Sequence, residues 1–198
     1  MKVKNEIKLD FSDVLIEPRI SDIPLTRKSV TIETKWLDTT AVPIVVSNML
    51  STGTYKIAKI LTPLKIFTFI HKEYTKEQHL AELQKMTDRR YIAITSGVQP
   101  WDIEKTTEVV SQYPDIGLIN VDIANVYANK QGMIKTINHY RELFPDIQIC
   151  AGNIATPKII EPLYNAGANF VKVGVGSGAA CRTRSEVGTG IPQLSAIM

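Results

Sequence analysis

Gly117-Leu-Ile-Asn-Val-Asp122 is apolar at nearly every position, and Ile147-Gln-Ile-Cys150 is built the same way. Between them, from Asn129 to Leu143, Ile134, Ile137, Tyr140 and Leu143 recur near one face of a helical wheel, with Lys135 and Arg141 elsewhere. Runs without polar alternation suit strands covered on both faces, as in a parallel sheet. The whole stretch therefore predicts strand, helix, strand.

Working outward, the same unit recurs. Further strand-like runs are Pro43-Ile-Val-Val-Ser47, Lys65-Ile-Phe-Thr-Phe-Ile70, Tyr91-Ile-Ala-Ile-Thr95 and Asn169-Phe-Val-Lys-Val-Gly174. Thr156-Pro157 reads as an N-cap followed by proline at the first helical position, and Gly167 as the glycine past a helix end. Pro162 inside that helix predicts a short or kinked segment. Six strand–helix units imply right-handed βαβ crossovers and an α/β fold. Leu9 to Asp38, with turn residues at Pro18 and Pro24, reads as a hairpin-like cap before the first core strand. The first βα turn, Asn48-Met-Leu-Ser-Thr-Gly53, has no GxGxxG fingerprint. Pattern alone leaves a barrel and an open doubly wound sheet both standing.

The bulk properties exclude more than they assign. With 198 residues, 44% hydrophobic and 22% charged, the chain is one soluble domain's worth. A net charge of +3 suits an anionic small molecule and does not argue for nucleic acid or a membrane surface. No apolar run approaches about 20 residues, and Met1-Lys-Val-Lys-Asn-Glu-Ile7 lacks a signal peptide's apolar stretch. A cytoplasmic protein with two reduced thiols, Cys150 and Cys181, is expected.

Chemistry concentrates in Gly174-Val-Gly-Ser-Gly-Ala-Ala-Cys-Arg-Thr-Arg184, which continues through Gly188-Thr-Gly-Ile-Pro-Gln193. It follows the sixth strand, at the end of the sheet where such folds build active sites. Glycines permit close approach of backbone to a ligand or ion. Arg182 and Arg184 beside Cys181 would lower the thiol's pKa and favour a nucleophilic thiolate. On spacing alone, a glycine-rich loop around a buried, inert cysteine reads equally well. Cys150 is expected in the core, and His79 and His139 at helix surfaces or boundaries.

That loop resembles the catalytic-cysteine loop of the IMP dehydrogenase/GMP reductase family. Leu9-Asp-Phe-Ser-Asp-Val-Leu-Ile-Glu-Pro18 resembles its N-terminal signature, Pro43 to Met49 its strand ending in Asn-Met, and Ala151-Gly-Asn153 the turn after its fifth strand. The resemblance implies a (β/α)₈ barrel, of which 1–198 form a single incomplete domain with about six βα units. Phe69-Ile-His-Lys-Glu-Tyr74 runs directly into the next helix, without the regulatory (CBS-type) insertion usual in the dehydrogenases. His71-Lys72, Asp122-Ile-Ala-Asn-Val-Tyr127 and Gly190-Ile-Pro-Gln-Leu-Ser-Ala196 resemble the reductase branch, whereas Ser177 is more typical of the dehydrogenases.

For the reductase branch the resemblance implies NADPH-dependent reductive deamination of GMP to IMP and ammonia, through a covalent thioimidate. It makes Cys181 the nucleophile and Thr183 its assistant at the purine. It places Thr26, Arg27, Lys72, Asp122, Ile123, Ala124, Val175 and Gly176 at the nicotinamide cofactor. It gives Gly176, Gly178, Cys181 and Arg184 to a monovalent cation, usually K⁺, and implies a homotetramer. Read without it, Lys72 is equally a solvated strand end and Asp122 a cap for the following loop. The alternatives are an insertion-less IMP dehydrogenase, or a truncated and inactive relative. Leu50, Val126, Ala179 and Arg182 depart from the family pattern and put cofactor and nucleotide positioning in question. The resemblance places the Asp-Gly-Gly strand, the glycine loops for the GMP phosphate and the deaminating glutamate in the barrel's strands seven and eight, expected beyond Met198, so the 198 residues alone are expected to be inactive.

Overall fold

The computed structural model describes residues 5–23, 26–36, 39–178 and 181–198. Pro24, one of the two expected turn prolines, and Ala179 lie outside them. Two short strands come first, β1 (Thr34–Trp36) and β2 (Thr39–Ala41), paired antiparallel. After them come β3 (Val45–Val46), β4 (Phe67–Ile70), β5 (Ile92–Ser96), β6 (Leu118–Asp122), β7 (Gln148–Ile154) and β8 (Phe170–Val173). These lie in one sheet in chain order, every neighbouring pair parallel. Linking them are α1 (Tyr55–Leu61), α2 (Lys76–Leu83), α3 (Pro100–Gln112), α4 (Lys130–Leu143) and α5 (Ile160–Asn165); α6 (Thr183–Val187) and α7 (Gln193–Ile197) come after β8.

Chain order dictates the curvature. Right-handed crossovers that always step to the same neighbour put every linking helix on one face. The side chains sort accordingly. Ile92, Ile94, Ile119, Val121, Ile149 and Ala151 pack with Leu83, Val109, Met133, Ile137, Tyr140 and Leu163 from the helices. Burying each large aliphatic side chain there contributes roughly 1.5–3 kcal/mol. The alternate residues Phe67, Phe69, Ala93, Leu118 and Cys150 form a second core that, among the described residues, contains none from the helices. This inner face has only itself to pack on, and the sheet curls around it. The Trp36 ring lies 5.3 Å from that of Phe67 on β4 and 5.1 Å from that of Phe170 on β8. In a flat sheet those strands would stand roughly 19 Å apart, four spacings of about 4.8 Å. The fold is a curled, all-parallel segment of a (β/α)₈ barrel, and the open doubly wound alternative is excluded.

Several local expectations need correction. The hairpin exists, but at residues 34–41, after most of Leu9–Asp38 has passed without a strand. Trp36 can bury against the barrel floor, whereas Leu15, Ile16 and Ile20 are 98%, 96% and 98% exposed. Ala151-Gly-Asn153 is not a turn. It continues β7, held by β6 on one side and β8 on the other, with a bulge between Gly152 and Ile154. In α4 the Asn129 side chain caps Gly132 N–H at 3.0 Å. Its buried stripe, however, is Met133, Thr136, Ile137 and Tyr140, and Leu143 is 49% exposed. Pro157 opens a 3₁₀ turn, Pro157–Ile159, and α5 is six residues long with Pro162 in its first turn, where a missing N–H costs little. Gly167 takes φ +107° at its end. There Arg141 locks the loops entering β7 and β8, donating to the carbonyls of Pro145 (2.6 Å), Ile147 (2.8 Å) and Gly167 (2.8 Å).

His79 is the clearest reversal: it is wholly buried, not a surface or boundary residue. Its Nδ1 lies 2.6 Å from the Tyr55 hydroxyl, joining α1 to α2. Burial pushes the Tyr55 phenol well above its ordinary value, so it stays protonated and donates. Burial, helped by the Lys105 ammonium, pushes His79 down to about 3. The unfolded imidazole titrates near 6.5 and binds its proton first. Stability from the neutral pair is therefore complete above that pH and lost as pH falls toward 3. Urea midpoints at pH 7 and pH 5 should show His79→Gln losing less stability over this interval than the wild type, by at most about 2 kcal/mol. Equal losses would show that His79 is not held neutral.

Candidate active site

Along β6 the inward side chains change from apolar to polar toward the C-terminal end. Leu118 lies in the inner core, Asn120 Nδ2 donates to the buried Thr95 Oγ1 at 3.0 Å, and Asp122 stands at the rim. On β8, Lys172 stands two residues beyond the inward Phe170. Its ammonium pairs with Asp122 Oδ2 and donates to Asn48 Oδ1 at 3.0 Å. Asn153 Nδ2 donates to the same Asp122 oxygen at 3.5 Å. A lysine and an aspartate, each less than a quarter exposed, are tolerated here because they are paired. Lys172 was not among the expected site residues. Its signal was a lysine inside an otherwise apolar strand, at the parity of Phe170.

Above β8 the chain turns through Gly174 (φ +140°) and Gly176 (φ +71°). A Cβ on Gly176 would stand 2.6 Å from the Thr189 carbonyl and 2.7 Å from Arg184 Cγ, so only glycine fits. The loop is stitched to the segment that leads into α7: Gln193 Nε2 donates to Val173 O at 2.9 Å, Ser177 Oγ to Gln193 Oε1 at 2.5 Å, and Ile191 N to Val175 O at 3.1 Å. This scaffold presents Cys181, which is exposed, with Thr183 Oγ1 3.3 Å from its sulfur at the start of α6. The Thr183 hydroxyl, and then the Thr183 N–H, donate to the thiolate form and hold the thiol below its ordinary value. The expected cause was the flanking arginines. Instead the Arg184 stem packs against Gly176 and Gly190, and Arg182 lines a neighbouring cleft. Cys150 shows the opposite behaviour, its thiol pushed up to about 12 by burial.

Two clefts flank this loop. One, of about 410 Å³, is walled by Ala124, Asn125, Arg182, Thr183 and Glu186. The other, of about 260 Å³, lies between Asn125, Tyr127, Thr156, Val175 and Gly190. The Tyr127 hydroxyl accepts from Ala155 N (3.2 Å) and Thr156 N (2.7 Å) and meets Thr156 Oγ1 at 2.7 Å, fastening the loop after β6 to the loop after β7. Thr156 therefore spends its hydroxyl on Tyr127, and its side chain caps no helix. A larger cavity of about 560 Å³ opens at the other end of the strands, beside Trp36, Arg90, Leu118 and Ile147, and holds none of the candidate residues.

Asp122, Ile123, Ala124, Val175, Gly176, Gly178, Cys181, Thr183 and Arg184 thus gather at one end of the sheet. Lys72 is exposed in the loop after β4 at the same end. Thr26 and Arg27 sit in an exposed turn. Among the described residues, the hydrogen bonds of Thr26 all run to Ser29 and none joins either residue to the cysteine loop. Of the four residues expected at a monovalent cation, Gly178 O accepts from Cys181 N at 2.9 Å and Arg184 O from Gly188 N at 3.1 Å. Among the described residues no group of three His, Cys, Asp or Glu could hold a metal ion. Of the departures, Leu50 is 68% exposed, and Val126, in the loop after β6, is wholly buried in the core between sheet and helices.

Replacing Thr183 by valine should raise the Cys181 pKa and shift its alkylation rate profile to higher pH. Cys150 should stay unreactive in the folded protein. Iodoacetamide labelling followed by peptide mass spectrometry across pH reads both. Equal labelling of the two thiols, or an unshifted profile in Thr183→Val, would contradict the geometry.

The arrangement has relatives. Residues 8–198 match the family model described as IMP dehydrogenase / GMP reductase domain. The chain is 36% identical over 206 residues to GMP reductase of Klebsiella pneumoniae, covering all of this chain and 58% of that protein. It is 38% identical over 205 residues to GMP reductase of Caenorhabditis elegans, covering 56% of it, and 34% identical over 203 residues to GMP reductase 2 of Bos taurus, covering 58%. Among solved structures, inosine 5′-monophosphate dehydrogenase from Legionella pneumophila superposes with a TM-score of 0.82 at 24% identity, over 96% of this chain and 58% of that one. The chain therefore spans somewhat more than half the length of the relatives it matches. It belongs to the IMP dehydrogenase/GMP reductase family.

Proposed function

We propose that this chain is the nucleophile-bearing part of an enzyme that reductively deaminates GMP to IMP and ammonia. One observation carries the reading: Cys181 stands exposed at the C-terminal end of the barrel strands, on a glycine-built loop, with a hydroxyl that stabilises its thiolate. The thiolate adds to purine C2, the 2-amino group leaves as ammonia after taking up a proton, and a thioimidate links C2 to sulfur. NADPH, when bound, supplies the hydride that reduces C2. The C–S bond then breaks and Cys181 departs as thiolate with IMP. Thr183 steadies the sulfur at both stages.

Thr26, Arg27, Lys72, Asp122, Ile123, Ala124, Val175 and Gly176 are proposed to hold the cofactor, and Lys172 joins them through its pairing with Asp122. The carbonyls of Gly176, Gly178, Cys181 and Arg184 would hold K⁺, whose charge would steady the loop. A cytoplasmic homotetramer completes the proposal. Among the described residues, no helix is long and apolar enough to cross a membrane. One residue favours the opposite reaction, hydride removal from IMP. Ser177, more typical of the dehydrogenases, is seated against Gln193.

In this sheet β3 and β8 each pair with a single neighbour among the described residues. The strands β3 to β8 are the first six of a (β/α)₈ barrel, and barrel enzymes commonly seat the substrate phosphate on loops after the barrel's seventh and eighth strands. A substrate held without such an anchor would forfeit orientation worth ~7–11 kcal/mol of barrier, and deamination without an acid–base partner would lose a further ~10²–10⁴-fold. With GMP, NADPH and K⁺, the 198-residue chain should show no steady-state NADPH oxidation, whereas a version extended by two βα units should. Cys181→Ser should silence the extended form. Turnover by the short chain near the rate of the long one would overturn the phosphate placement, and NAD reduction with IMP but no NADPH oxidation with GMP would reverse the reaction.

A further inference from the structure

Lys72, exposed and proposed to meet the cofactor, has to be presented by the backbone of the loop that joins β4 to α2. Three attachments hold that loop. At its start His71 N–H donates to Gly53 O at 2.9 Å, and at its end Thr75 caps α2, its hydroxyl accepting from Gln78 N while Gln78 Oε1 accepts from Thr75 N. Between them the only polar side chain reaching the loop backbone, among the described residues, is Lys105 of α3. Its ammonium donates to Lys72 O and, at 3.2 Å, to Tyr74 O. Side-chain exposure of Lys105 is only 18%, and Asp102 Oδ1, one turn earlier on α3, stands 4.0 Å away. Within the loop the rings of His71 and Tyr74 stack at 4.4 Å.

We propose that Lys105 is a positioning residue. Its ammonium, backed by Asp102, gathers the carbonyls of residues 72 and 74 and so fixes the direction in which Lys72 leaves the loop. An ammonium suits the task because it donates to two carbonyls at once, and hydrogen bonds from a charged donor are the stronger kind. A neutral side chain of the same length would leave both carbonyls to water and the loop free to rotate between its ends. The role in ligand binding rests on the reading of Lys72 as a cofactor contact; the ordering of the loop does not.

The test measures amide hydrogen exchange over residues 72–76 and NADPH titration on the 198-residue chain, using Lys105→Met, Lys105→Arg, Lys72→Met and the double variant Lys72→Met with Lys105→Met. Lys105→Met should speed exchange in this loop with β5 and β6 unchanged, and should weaken NADPH binding about tenfold. Lys105→Arg should restore most of both, and Lys105→Met should add nothing in the Lys72→Met background. Unchanged loop exchange in Lys105→Met would overturn the inference. So would an undiminished effect on NADPH when Lys72 is already methionine, since Lys105 would then not act through Lys72. If the wild type binds no NADPH, the cofactor reading fails, and loop exchange alone decides whether Lys105 orders the loop.

Discussion

Every crossover in the six-stranded sheet steps to the next strand in the same direction, and the rest of the structure depends on that. One consequence is the pair of cores, with aliphatic residues facing the helices and Phe67, Phe69, Leu118 and Cys150 facing inward. A second is curvature, because the inner face can leave water only by packing on itself. A third is that all the C-terminal strand ends emerge together. Loops separated by long stretches of chain then share one rim, and Asn48, Asp122 and Lys172 meet there.

The rim is also where the chain departs most from what is comfortable for a core. Along β6 two inward steps lead from Leu118 through Asn120 to a carboxylate. The charge persists because the curl delivers Lys172 from another strand. The two cysteines illustrate the same point. Cys150 and Cys181 share a side chain, yet burial raises one thiol and a neighbouring hydroxyl lowers the other. Environment decides which of them can act as a nucleophile, and the glycines at 174 and 176 create the environment by letting the loop fold back onto residues 189–193.

Much of this was legible in the order of residues. The six strands lie where apolar runs stand, because a strand covered on both faces demands apolar side chains on each, although the edge strands β3 and β8 are only half-buried. Helix α4 begins where Asn129 can cap it. Gly167 ends α5 at a positive φ that few other residues adopt. The cysteine loop stood out by its glycines and its place after the sixth strand, and resemblance to the family, not spacing, gave Cys181 and Thr183 their roles. Errors arose where a residue's fate depended on partners remote in sequence. Ala151-Gly-Asn153 reads locally as a turn, but strands on both sides draw it into β7. His79 reads as a polar residue on a helix, but Tyr55 from another helix gives it a buried partner. Arg182 and Arg184 flank the thiol in the chain, but the first turn of α6 puts Thr183 beside the sulfur instead.

By itself, then, the sequence determined the succession of elements and their parallel direction, and its glycines marked the loop that carries Cys181. Those arise from side-chain periodicity and from turn chemistry, which act over a few residues. Tertiary structure decided that the sheet curls as a barrel segment, that Lys172 neutralises Asp122, and that Trp36 packs across the floor against Phe67 and Phe170. Lys172 is 50 residues from Asp122 and 124 from Asn48. Contacts over such separations exist only once the inner face has curled to bury itself, and no local pattern encodes the angle of that curl.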